Sequence, residues 1–167
     1  MPKAKLTVGV LCDTSFLVCL NRPNEAMHGH ARGYLKYLLG IHAPLYVSTI
    51  ALAEYAVRDV IANLPMRYLR KLPFNIDHAQ RAGEFARIAF MKRGQLPTDA
   101  AQRVIIPNDT KMFAQADVSP MITHYLTGDQ KCQGIERLIR EEIQMGFQIL
   151  PLTVTHQQAF GELDLDD

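Results

Sequence analysis

Residues 6–12 form a nearly continuous apolar run with β-branched side chains, and an aspartate, Asp13, follows at once. A run of that length without alternation fits a strand covered on both faces, the kind found at the centre of a parallel sheet. Thr14 and Ser15 come next, both good helix caps, so the chain turns from strand to helix at Asp13. In open α/β sheets ligands bind outside the carboxyl ends of the strands. The first motif therefore constrains both the fold and the place of a charged group in it.

Further along, strand-like and helix-like segments alternate. A helix is expected over residues 23–39, ending at Gly40, and a short strand over 45–48. Ser48 or Thr49 then caps a helix over 50–63, which Pro65 stops. Residues 73–76 read as a strand, and Asp77 as the cap of a helix to Arg93, closed by Gly94. The stretch 95–107, marked by Pro97 and Pro107, is the least regular; a helix follows from Asn108 or Asp109 to Asp117. Residues 121–126 read as a strand ending in a turn at 127–129, then a helix over 133–145 and a last strand over 147–150. This alternation predicts a three-layer α/β/α sandwich with a central, mostly parallel sheet.

The 167 residues, 48% hydrophobic, suit one domain, placed at 1–155, with an acidic tail over 156–167. The net charge of +1 argues against a strongly basic nucleic-acid clamp but not against transient contact with nucleic acid. Cys12, Cys19 and Cys132 are odd in number and lack metal-ligand spacing, so they read as reduced thiols. No segment reaches the ~20 apolar residues of a membrane span. The expected location is the cytoplasm.

Four acids recur at these junctions: Asp13, Glu54, Asp109 and Asp129. All four are placed near one edge of a parallel sheet. Clustered carboxylates repel one another and are tolerated when a cation neutralises them. Hard cations such as Mg²⁺ or Mn²⁺ take oxygen ligands, and such ions support phosphodiester displacement without a nucleophilic side chain. Each acid also has an ordinary reading. Asp109 could cap its helix, Asp129 could be a turn residue, and Glu54 could pair with Arg58. Asp13, directly after a buried strand, is the hardest to explain so.

In order and spacing these segments resemble the PIN-domain family of metal-dependent ribonucleases. Residues 10–15 (VLCDTS) look like its opening strand with Asp and a following Ser or Thr. Residues 47–54 (VSTIALAE) are similar to its strand, Ser-containing turn and Glu-bearing helix. Residues 109–116 (DTKMFAQA) resemble its third acidic helix, and 125–129 (YLTGD) its strand ending in Thr-x-Asp. The resemblance covers residues 6–150. It implies catalysis by Asp13, Glu54, Asp109 and Asp129, with Mg²⁺ or Mn²⁺ held by Asp13, Asp109 and Asp129. Ser15 and Thr127 would hydrogen-bond a carboxylate or a water on the ion. Asp117, about 12 Å further along the helix from Asp109, would be a surface acid or one supporting the ligands from behind.

Many single-domain members of this size look like the toxin of a toxin–antitoxin pair, VapC-type ribonucleases that are often homodimers silenced by a small antitoxin protein. The same resemblance also allows an RNA-processing or decay nuclease, or a catalytically inactive binding module. An aspartyl phosphatase is disfavoured because position 15 is Ser where a second Asp is needed. Arg58, Lys92, Arg93 and Lys131 are candidate phosphate contacts for RNA, of the kind that position without reading sequence. His28 and His30 diverge on their helix. His124, in the strand before Asp129, is a candidate general base.

Overall fold

The computed structural model describes residues 7–95 and 102–161. Five strands, β1 (Val10–Cys12), β2 (Leu45–Ser48), β3 (Leu69–Leu72), β4 (His124–Thr127) and β5 (Gln148–Pro151), form one sheet in the order β3-β2-β1-β4-β5. Every pairing is parallel; Cys12 stands opposite Val47 on one side and Leu126 on the other. Val10, Leu11 and Cys12 have no exposed surface, as expected of a central parallel strand. The chain builds outward from β1 through β2 to β3, then returns to β4 on the other side of β1. The strand order thus reverses between β1 and β4, and a crevice opens beyond their carboxyl ends.

Helices α1 (Thr14–Asn21), α2 (His28–Gly40) and α3 (Thr49–Ala56) connect the first strands, and α7 (His156–Phe160) packs on α2. Helices α4 (Ile76–Lys92), α5 (Gln102–Val118) and α6 (Gln130–Arg140) pack with one another. Right-handed crossovers send connections made in opposite directions along a sheet to opposite faces, giving the three layers. Beneath α5, Phe113 meets the Tyr125 ring edge-on at 5.2 Å and stacks on Phe147 at 5.9 Å. All three rings are buried, each contributing about 2–3 kcal/mol.

Several element bounds differ from the sequence expectation, each for a local reason. β1 starts at Val10, because residue 9 is a close crossing. A Cβ at Gly9 would lie 1.8 Å from the Met121 carbonyl oxygen. The Gly9 carbonyl accepts from Thr123 N and His124 N, and Gly9 N donates to Thr123 Oγ1. Gly9→Ala is expected to cost about 3 kcal/mol, checked by urea unfolding.

Asp13, rather than Thr14 or Ser15, occupies the cap position of α1. Turns cover residues 23–27, so α2 starts at His28; Gly40 is its last residue, and His42 takes the left-handed conformation (φ 58°). α3 stops at Ala56, not near residue 63. Val57 and Val60 are 79% and 62% exposed, so continuing the helix would bury nothing, and Asp59 is drawn to Arg22 (2.6 Å). The strand expected at 73–76 lies at Leu69–Leu72, since Pro73 cannot donate to a ladder.

Asn75, not Asp77, caps α4, in a reciprocal pair with His78. α5 runs from Gln102 through Pro107 instead of opening at residue 108 or 109. One helical hydrogen bond is lost at the proline, while buried Met112, Phe113 and Ala116 hold the later turns on the core. β4, α6 and β5 are each offset by one to three residues at their starts. α7 lies within the segment expected as a tail: Thr155 and Gln158 cap it reciprocally, and Tyr37 stacks on His156 and Phe160. Residues 162–167 lie outside the described residues, as does Pro97. Among the described residues no helix is long and apolar enough to cross a membrane.

Candidate active site

Asp13 leaves β1 into the crevice and is 5% exposed. Three hydroxyls donate to its carboxylate. Tyr125 OH reaches Oδ1 at 3.1 Å, and Ser15 Oγ and Thr127 Oγ1 reach Oδ2 at 2.6 and 2.8 Å. Tyr125 and Thr127 are two apart on β4, so they share a face. Gly128 N donates in turn to Ser15 Oγ and Asp129 N to Thr127 Oγ1, tying α1 to the end of β4. Burial and Asp13 push the Tyr125 phenol well above its usual range, so it stays a donor.

Asp129 opens α6, and its Oδ1 accepts from Lys131 N (2.8 Å) and Cys132 N (3.4 Å). It is both a helix cap and a wall of the crevice. Asp109 lies well inside α5 and so is no cap. Its side chain is 7% exposed, and the buried Oδ2 has no hydrogen-bond partner. Burial first, then Asp13, Asp129 and Glu54, push its pKa up to about 8. Glu54 does not pair with Arg58. Its Oε2 accepts from Thr14 Oγ1 (2.5 Å) and its Oε1 from Asn108 Nδ2 (2.8 Å).

The four acids, with Thr14, Ser15 and Asn108, line one cavity of about 240 Å³. Sequence reasoning missed Thr14, Asn108 and Tyr125. The signals were modest: two polar neighbours of acids, and a tyrosine in phase with Thr127.

The acids suit a hard divalent cation. Asp109 carries a buried carboxylate oxygen with no protein donor, repelled by three other carboxylates, which is the situation a cation relieves. Among the described residues no three His, Cys, Asp or Glu side chains already close on one point. Mg²⁺ takes only one or two carboxylates directly and keeps several waters, so an acidic cavity with room for water fits it. Cys12 and Cys132, beside these acids, are pushed far up by burial and remain thiols, unsuited to nucleophilic attack.

Other expected residues lie elsewhere. Asp117 accepts from Arg81 Nε and Gly146 N, both at 2.7 Å, and joins α4 to the loop before β5. It is about 12 Å down α5 from Asp109 and does not support the acids. Asp117→Ala should cost about 1–3 kcal/mol, seen in thermal unfolding, with any RNA cleavage unchanged at a temperature where the fold holds. Lys92 binds Glu141 and Glu142 at the end of α6, about 18 Å along the axis from Asp129; exposed Arg93 adjoins it. Arg58 and Lys131 are exposed, four and two residues past site acids. His124 starts β4, about 10 Å from its Thr127 end, and its Nδ1 bonds Thr123 Oγ1 (2.8 Å). It is too far to serve as a base there. His28 and His30 bond the Cys19 and Leu152 carbonyls.

Fold and crevice together define a PIN-like α/β/α domain with an acidic pocket at the reversal of strand order. No protein-family model and no curated protein matches the sequence. Three of the solved structures that share the fold are VapC or VapBC proteins. One is VapBC2 from Rickettsia felis bound to a fragment of promoter DNA (15% identity, TM-score 0.58, covering 86% of this chain and 98% of that one). Another is VapC20 from Mycobacterium tuberculosis, a toxin that cleaves the sarcin-ricin loop (19%, 0.52, 75% and 93%). The third is DNA-bound VapBC from Salmonella typhimurium (17%, 0.54, 87% and 98%). The chain has the fold of the VapC toxins over most of its length.

Proposed function

We propose that this chain is a divalent-metal-dependent endoribonuclease and the toxin of a toxin–antitoxin pair. The observation that carries this reading is the buried, partnerless oxygen of Asp109 in a cavity walled by three further carboxylates. Asp13, Asp109 and Asp129 would hold Mg²⁺ or Mn²⁺. When bound, such an ion makes water more acidic and offsets negative charge on phosphate oxygens. The chain's own residues supply orientation. Tyr125, Ser15 and Thr127 fix Asp13, and helix α6 fixes Asp129. Hydrolysis adds water across a P–O bond: oxygen joins phosphorus, one proton goes to the leaving oxygen and the other to solvent. Exposed Arg58 and Lys131, close in sequence to Glu54 and Asp129, would contact phosphates of the RNA.

An antitoxin partner is supported by the VapBC neighbours and by a groove of about 620 Å³ in which Leu20, Leu35, Leu39 and Leu64 lie beside Arg32 and Lys36. The exposed Ala53, Val57 and Val60 on either side of Glu54 support a homodimer. A cytoplasmic location follows from this reading.

The test is to incubate the purified protein with a mixed structured RNA in Mn²⁺ or Mg²⁺, with and without EDTA, beside Asp13→Asn. Cleavage that EDTA and the substitution both abolish is expected. Cleavage that persists in a folded Asp13→Asn protein would rule the mechanism out.

A further inference from the structure

Each carboxylate oxygen of Glu54 accepts from a side chain on another helix, Thr14 at 2.5 Å and Asn108 at 2.8 Å. A buried oxygen of Asp109 has no donor, and the three donors to Asp13 come from the helix start beside it and from β4. An ionised carboxylate only accepts hydrogen bonds, so the Asn108 side chain must present its NH₂ group to Glu54. Thr14 comes from the first turn of α1, Glu54 from α3 and Asn108 from α5, and all three line the same cavity. The two bonds therefore fix the carboxylate across three helices at the cavity wall. Each oxygen keeps a second lone pair for a further donor.

We propose that Thr14 and Asn108 are positioning residues: they clamp Glu54 as a fixed acceptor that orients the attacking water, apart from the aspartates that hold the ion. This rests on the ribonuclease reading above. It separates four acids of one type into two duties. It also gives Asn108, which neighbours Asp109 in sequence, a part that its neighbour does not share.

The test uses the full chain with Thr14→Val, Thr14→Ser, Asn108→Ala and the Thr14→Val/Asn108→Ala pair. kcat and KM are measured on cleaved RNA, and Mn²⁺ alone is titrated by calorimetry. Thr14→Val and Asn108→Ala should each lower kcat about tenfold or more, the usual scale for groups that orient a site residue. KM and the Mn²⁺ affinity should stay within about twofold. Thr14→Ser, which keeps the hydroxyl, should retain wild-type kcat. The pair should be about as slow as its worse member, because both bonds serve one carboxylate.

Unchanged kcat in both single variants overturns the proposal. So does a loss of Mn²⁺ affinity in step with kcat, which would place Glu54 among the ligands. A wild type that cleaves no RNA overturns the ribonuclease reading, and with it the water-orienting duty. The clamp is then decided by thermal unfolding in EDTA: non-additive losses in the pair support it, and additive losses overturn it.

Discussion

Replacing Asp109 by Asn is expected to raise the thermal midpoint of the metal-free protein and to abolish its activity on RNA. The carboxyl is buried, one oxygen has no donor, and Asp13, Asp129 and Glu54 all oppose its ionisation. Asn has nearly the same shape and no charge. Near neutral pH the folded chain must take up a proton at Asp109 that the unfolded chain lacks. Asn spares that cost and should stabilise the fold by at least about 2 kcal/mol, or roughly 4–8 °C at this size. The same change removes a ligand where several kcal/mol of charge stabilisation is needed, so cleavage should fall about 10³-fold or more. Stability and activity move in opposite directions, as they do where a site is strained for function. Unfolding in EDTA and a cleavage assay on the same preparation check both. A lowered midpoint would mean that Asp109 is held by its surroundings instead of opposed by them.

The second large effect is on pH dependence. The Asp109 pKa is raised from 3.8 to about 8, so over that interval the folded state binds a proton that the unfolded state has lost. Stability therefore falls as pH rises. The contribution is fully present below about pH 4 and is gone once pH passes about 8. At about 1.4 kcal/mol for each pH step of one across that interval, the total is on the order of 5 kcal/mol. In EDTA the midpoint should fall between pH 5 and about pH 8 and then level off, with the slope flattened in Asp109→Asn. Saturating Mn²⁺ binds the ionised carboxylates and favours the folded state by mass action. It should reverse the slope near neutrality. Melting curves at pH 5.5, 7 and 8.5, with EDTA and with Mn²⁺, measure this. A midpoint in EDTA that does not change with pH would contradict the electrostatics of the pocket.

The strands were legible in the sequence where burial alone decides them: the run into Asp13, and residues 45–48, whose bounds match β2. Helix ends were less so, because tertiary contacts set them. The apolar pattern of residues 57–61 reads as helix, yet α3 stops at Ala56 and leaves Val57 and Val60 in solvent. Pro107 reads as a stop, yet core packing carries α5 through it. α7 was invisible behind the acidic tail, although the Thr155–Gln158 cap was there to be read.

At the site, Asp13 and Asp129 could be found because each follows a strand, and Glu54 because its helix does. Asp109 was expected at a helix start and lies inside α5 instead, and the structure brings all four to one cavity. What the chain could not reveal is which polar neighbours turn inward. Thr14 and Ser15 are adjacent, and only the fold sends one hydroxyl to Glu54 and the other to Asp13. Asp117 shows the converse: an acid about two turns along the same helix from Asp109 whose partners are Arg81 and a loop amide.

The most direct measurement is a Mn²⁺ soak of crystals with anomalous diffraction recorded at the manganese edge. A peak in the cavity, contacting Asp13, Asp109 or Asp129 and lost in Asp109→Asn, is the predicted result. A cavity without manganese at saturating concentration, or a peak that Asp109→Asn leaves in place, would contradict the assignment of these acids to a metal-dependent nuclease site.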